Sequence, residues 1–187
     1  DITYLLDELE RLNHSGTFER DRLNLQQVGI LGHSLGGYTA LALAGAEINF
    51  SQLRSECRSD LINLNSANLS LLLQCLALEL PPRKLPKLYD RRIRAVFAFN
   101  PVSSAIFGQQ SLQKIRVPVM FVGGSEDAIT PTLLEQICPF SWLTASEKYL
   151  AIIQGGTHVY GNDQNEVLPI PSEFVSRDPA IARRYLK

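Results

Sequence analysis

The sequence predicts an α/β fold, a mostly parallel sheet with helices on both faces. Three observations predict it. Apolar runs of strand length alternate with helical stretches along the 187 residues, the pattern of parallel strands joined by crossover helices. A glycine-rich turn, Gly32-His33-Ser34-Leu35-Gly36-Gly37, stands between an apolar run and a small-residue helical stretch. Two later apolar runs each end in a loop bearing a chemically active side chain, Asp127 after one and His158 after the other.

The elements follow in order. Asp1 suits a helix N-cap, and Ile2, Leu5, Leu6, Leu9 and Leu12 form one apolar stripe, so a helix is expected over 2–13. Val28-Gly29-Ile30-Leu31 centres a strand over 26–31, and a helix over 35–46 follows the turn. Residues 48–90 read as an inserted, cap-like region. Within it the leucine-rich run from Leu69 to Leu80 has helical character, and Pro81-Pro82 ends it. It reads either as a cap lining an acyl pocket or as a helix packed against the sheet. Arg83, Lys84, Lys87, Arg91, Arg92 and Arg94 form a basic stretch, by default a solvated linker and otherwise a contact for anionic lipid or acidic substrate. Then come a strand over 93–99, a short helix near 109–114, a strand over 117–122, a helix over 131–137 and a strand over 148–153. A loop carries His158, and a last helix is expected from 179, with Asp178-Pro179 as N-cap and first helical position.

Composition bounds the function. With 45% hydrophobic and 20% charged residues the chain is an ordinary globular one, long enough for a single domain with a sizeable core. A net charge of −1 gives no support for nucleic-acid binding. No apolar run is long enough to span a bilayer. The cysteines are Cys57, Cys75 and Cys138, with no C-x-x-C pair and no metal-ligand spacing. A bridge between Cys57 and Cys75 would close a loop of about 18 residues, worth roughly 3 kcal/mol in an oxidising compartment. Two buried free thiols account for the pair equally well.

The turn at 32–37 carries the chemistry. G-x-S-x-G between strand and helix holds a serine at the tip of a strained backbone, with Gly32 and Gly36 removing clashes two positions either side. Gly37 gives the helix room to pack close to the sheet. Ser34 is the nucleophile, and the N–H of Leu35 is one oxyanion donor. A serine hydroxyl needs a base, and the base needs an orienting acid. Asp127, in Gly123-Gly124-Ser125-Glu126-Asp127 past an apolar strand, is the acid, with Glu126 as fallback. Of three histidines, His33 lies inside the turn, where its neighbour cannot use it, and His14 follows the first helix in a polar loop. His158, after Gly155-Gly156-Thr157, is the base. Val102, Ile106 and Phe107 follow the strand at 93–99 and are the expected substrate contacts, with core packing as the alternative.

With those residues placed, the chain resembles the α/β-hydrolase superfamily across nearly its whole length. Gly32 to Ala40, Phe99-Asn100-Pro101-Val102-Ser103-Ser104 and Gly123 to Asp127 with Pro131 look like bacterial predicted dienelactone hydrolases and are similar to platelet-activating-factor acetylhydrolases. More distantly they are similar to cutinase-like polyesterases. Dienelactone hydrolases use a cysteine nucleophile where this chain has Ser34, so the resemblance implies serine-dependent cleavage of a short-chain or lipid-like ester rather than of a dienelactone. No cofactor is expected, since the triad activates its own nucleophile. A catalytically inactive hydrolase-fold binding domain and an acyltransferase using the same triad are the alternatives; labelling by a fluorophosphonate separates the first and product analysis the second. The apolar stripe at the start and the helix scarcely begun at the end lead to a further expectation: residues 1–187 are the C-terminal part of a larger catalytic domain. The N-terminal remainder of that domain would supply more strands and the second oxyanion N–H. On that expectation the segment alone is poorly soluble or marginally folded, and inactive.

Overall fold

The computed structural model describes residues 2–16, 23–60, 68–79 and 88–159. The last helix expected from 179 and the basic residues Arg83, Lys84 and Lys87 lie outside them. Four strands, β1 (Val28–His33), β2 (Ile93–Phe99), β3 (Val119–Gly124) and β4 (Lys148–Ile153), form one sheet in the order β1-β2-β3-β4. Every neighbouring pair is parallel. The strand ends that share a register at one rim are His33 with Phe99, Phe99 with Val122, and Gly124 with Ile153. All the expected catalytic groups follow that rim.

The helices are α1 (Ile2–His14), α2 (Leu35–Leu43), α3 (Phe50–Asp60), α4 (Leu69–Cys75), α5 (Ser104–Leu112) and α6 (Cys138–Trp142). A 3-10 turn, Leu76–Glu79, extends α4, and a π-helical turn, Leu133–Ile137, precedes α6. Alternation along each strand sorts side chains onto two faces. Val96, Ala98, Val119 and Phe121 turn to a core built with Leu41, Leu53, Phe107, Leu112 and Ile115 from or beside the helices. The opposite face bears an open apolar groove along Gly29, Leu31, Ala95, Phe97, Met120 and Tyr149, where Leu31 is 71% and Tyr149 55% exposed.

Several elements differ from expectation for identifiable reasons. The second helix stops at Leu43 because Gly45 takes φ 119°, a left-handed exit that glycine adopts freely. The short helix expected near 109–114 begins instead at Ser104 and runs across a kink at Gly108, φ 65°. The inserted region holds α3, which the sequence pattern did not suggest, and α4 bridged to it by a Cys57–Cys75 disulfide. Helix α4 turns a polar face inward. Ser70 and Gln74 are buried beside Leu71, while Leu69, Leu72, Leu73 and Leu76 are exposed. Arg92 does not belong to a solvated linker. It is buried, paired with Asp90 at 2.7 Å, and it reaches Asp7 at 2.8 Å and Glu10 at 3.5 Å, which ties α1 to the start of β2. The Asp90 hydrogen bonds are the main reason that its guanidinium is held more basic than usual.

Candidate active site

Ser34 sits where β1 turns directly into α2. Its N–H donates to the Phe99 carbonyl at 2.9 Å, and its own carbonyl accepts the Tyr38 N–H at 3.1 Å. One residue therefore closes the sheet ladder and opens the helix. Its backbone has φ 55° and ψ −119°, a region that costs a non-glycine residue about 1–3 kcal/mol and persists only where the surroundings impose it.

The glycines divide the work unequally. A Cβ on Gly32 would lie 2.0 Å from the Gly36 carbonyl oxygen and 2.2 Å from its carbon. A Cβ on Gly37 would meet Pro101 at 2.8 Å, so this glycine sets how closely α2 approaches the segment after β2. A Cβ on Gly36 would meet nothing within 4 Å. The expected clash at Gly36 is absent; its backbone is the wall against which Gly32 must stay bare.

The acid is Asp127. It is buried, and each carboxylate oxygen is used. Oδ1 accepts the N–H groups of Ile129 and Thr130, both at 2.8 Å. Oδ2 accepts the Thr130 hydroxyl at 2.7 Å and His158 Nδ1 at 2.8 Å. Neighbouring Glu126 is exposed. His158, only 5% exposed, turns its other nitrogen, Nε2, to Ser34 Oγ at 3.0 Å. Because Asp127 accepts from Nδ1–H, Nε2 of the neutral ring carries the lone pair that faces the serine hydroxyl. Leu35 is the first residue of α2, so its N–H has no partner within the helix.

The expected substrate contacts are buried. Val102 is 2% exposed, and its N–H donates to the Ser34 carbonyl at 3.4 Å. Ile106 and Phe107, 7% and 0% exposed, belong to the hydrophobic core, where Phe107 stacks on Tyr38 at 5.0 Å. They present no open lining here. The kinked α5 turns them inward, so the core-packing alternative describes Ile106 and Phe107.

Sequence reasoning missed four residues that hold the group together. Asn100, fully buried with φ 42°, accepts Gly124 N–H at 3.1 Å and donates to the Thr157 and His158 carbonyls at 3.2 and 2.9 Å. It joins three loops at the sheet rim. An Asn directly after a strand and before Pro101 is a mark of a left-handed turn, the one signal available in the sequence. Thr130 serves Asp127, as above. His33 Nε2 donates to the His158 carbonyl at 2.7 Å, and burial lowers its imidazole from the ordinary value against the opposing pull of that carbonyl. Glu135 is fully buried, and among the described residues no cation pairs with it. Its carboxylate instead accepts from the N–H groups of Ser103 and Ser104, the Ser104 hydroxyl and the amides of Asn68 and Gln74. It thereby caps α5 and anchors α4. That anchorage reaches Asp127, because Ser70 at the start of α4 donates its N–H at 2.9 Å to the carbonyl of Ile129, whose own N–H is held by Asp127.

Among the described residues, no group of three or more His, Cys, Asp or Glu side chains is placed to hold a metal, and no helix is long and apolar enough to cross a membrane.

No protein family and no curated protein matches the sequence. Solved structures do. The chain is similar to a monoacylglycerol lipase of Paleococcus ferrophilus, with 12% identity and a TM-score of 0.46, covering 89% of this chain and 70% of that one. It is similar to an acylaminoacyl peptidase of Pyrococcus horikoshii, with 14% identity and a TM-score of 0.48, covering 97% of this chain and 25% of that one. It is also similar to an acylaminoacyl peptidase in complex with Z-Gly-Gly-Phe-chloromethyl ketone, with 16% identity and a TM-score of 0.47, again over 97% of this chain and 25% of that one. The chain thus spans a quarter of the length of the two peptidase chains.

Proposed function

We propose that this chain carries the catalytic triad of an α/β-hydrolase that cleaves carboxylic esters. The observation that carries the reading is one hydrogen-bonded line, Ser34 Oγ to His158 Nε2 at 3.0 Å and His158 Nδ1 to Asp127 Oδ2 at 2.8 Å. His158 takes the Ser34 proton as Oγ attacks the acyl carbon. The carbonyl π-pair moves to oxygen, which the Leu35 N–H stabilises at the N-terminus of α2. Collapse expels the alcohol, which leaves with the proton from His158. Water then attacks the acyl-enzyme by the same route and restores Ser34. Asp127 holds the ring in the Nδ1–H tautomer and offsets the charge of the imidazolium. None of these steps draws on a metal or cofactor.

The ester class, short-chain or lipid-like, rests on the resemblance of residues 32–40, 99–104 and 123–131 described above. The exposed leucines of α4 fit an apolar acyl group or lipid. The test, made in the complete protein, is Ser34→Ala on a p-nitrophenyl ester, with fluorophosphonate labelling of the parent. Turnover should fall by about 10³-fold or more, toward what oxyanion stabilisation and binding alone supply. Retained turnover, or label on a residue other than Ser34, overturns the proposal.

A further inference from the structure

The main-chain carbonyl oxygen of His158 accepts from two side chains, His33 Nε2 at 2.7 Å and Asn100 Nδ2 at 2.9 Å. Asn100 is fully buried and already satisfies that oxygen. The second donor is therefore beyond what burial of a carbonyl requires. It comes from the residue directly before Ser34, at the end of β1, and its ring lies 4.9 Å from that of His158.

The loop that carries His158 is held from the β3 side by Gly155 N–H to Ser125 Oγ at 2.8 Å and Glu126 N–H to the Gly156 carbonyl at 2.8 Å, and His33 adds a tie from the strand that leads to Ser34. The loop passes through Gly155, at φ 70°, and Gly156, positions with wide backbone freedom. The imidazole must nevertheless reach a serine on one strand end and a carboxylate beyond another. A side chain of two torsions holds both bonds only if its own backbone is fixed.

We infer that His33 is a positioning residue, holding the His158 main chain so that the imidazole stays at bonding distance from Ser34. The inference rests on the serine-hydrolase reading. It gives the residue inside the turn a task other than general base. The task needs only an N–H at the end of the side chain. In the neutral ring, the state that burial favours, the single N–H stands on Nε2 for this bond.

The experiment compares His33→Phe, which keeps a ring without a donor, with His33→Gln, whose terminal amide presents a donor at a similar reach. Ser34→Ala is assayed beside them on the p-nitrophenyl ester, and melting curves verify folding. Misplacing a base by a fraction of an ångström to about 1 Å costs on the order of 10- to 100-fold. H33F should lose kcat by that factor, with KM within about twofold and the fluorophosphonate reaction slowed in parallel. H33Q should recover most of the loss. Should H33F melt at the assay temperature, H33N, whose amide is too short to reach, takes its place. An unchanged kcat in the variant without a donor overturns the inference. So does a loss confined to KM, or an H33Q as slow as H33F. Full turnover by S34A overturns the serine reading itself, whatever the His33 variants do.

Discussion

Gly32→Ala and Gly36→Ala change the same kind of residue four positions apart, and the structure separates their outcomes. The Gly32 Cβ would stand 2.0 Å from one backbone atom of Gly36, 2.2 Å from a second and 2.7 Å from the Gly37 nitrogen. Ordinary carbon–oxygen contact begins near 3.2 Å, so the turn must open by roughly 1 Å, and the atoms in the way are backbone, which has no rotamer to swing aside. Overpacking of this kind costs about 1–3 kcal/mol and sometimes more. For a domain of this size each kcal/mol lowers the melting temperature by about 2–4 °C. The opening moves Ser34 itself, so the catalytic loss exceeds the stability loss: about 10²-fold in kcat for a displacement near 1 Å. At Gly36 the added methyl has open space within 4 Å and a helical position, where Ala is favoured over Gly by about 1 kcal/mol at most. G36A should therefore melt at or slightly above the parent temperature with kcat within about threefold. The assay is a thermal melt and p-nitrophenyl ester turnover of both variants. Equal damage from the two substitutions, or a G32A protein as stable and active as the parent, would refute the assignment of the steric wall to the Gly36 backbone.

Asp127→Asn should lower kcat by about 10³- to 10⁴-fold, because the amide favours the wrong His158 tautomer, while Glu126→Gln stays within threefold; steady-state kinetics with equal losses from both would reject the choice of acid. Breaking the Cys57–Cys75 bridge should cost roughly 3 kcal/mol, or about 6–12 °C in melting temperature. A melt with and without reductant that shows no shift would mean the bridge constrains nothing. Asp90 is held below the ordinary carboxylate range chiefly by hydrogen bonds from Arg92. Its stabilisation is therefore full above the unfolded-state value, near pH 4, and is lost as pH falls through the lower folded-state value. Urea midpoints taken between about pH 5 and 2.5 should fall less steeply for Asp90→Asn, and an identical acid limb would show that the pair does not couple to folding.

Much of the fold was legible because its signals are local. Each strand is a short apolar run, and the turn at Ser34 announces itself through three glycines and its strand–helix context. The side chains of Ser34, Asp127 and His158, which the sequence selects by order and by position after strands, lie within hydrogen-bonding distance in the structure. The rest was not legible because it depends on contacts between distant segments. Val102, Ile106 and Phe107 read as residues of the loop side after the strand at 93–99, with the next helix expected only past the glycine at 108. The chain instead carries helix through that glycine and turns Ile106 and Phe107 into the core. The polar inner face of α4 makes sense only once Glu135 is opposite it. Arg92 reads as one of a basic run until Asp7, Glu10 and Asp90 are seen around it. Asn100 and His33 are single polar residues whose shared partner, the His158 carbonyl, lies more than fifty positions from each.

The hydrogen bond from the Ser34 N–H to Phe99 makes Ser34 the final rung of the β-ladder. The Ser34 hydroxyl thus borrows the stiffness of a pleated layer instead of relying on a tethered loop. Ordering it is an expense met once, as the polypeptide folds, so under the proposed serine chemistry an incoming ester would meet a hydroxyl already aimed. Slackening anywhere in that layer, even far from the rim, is then felt as lost aim.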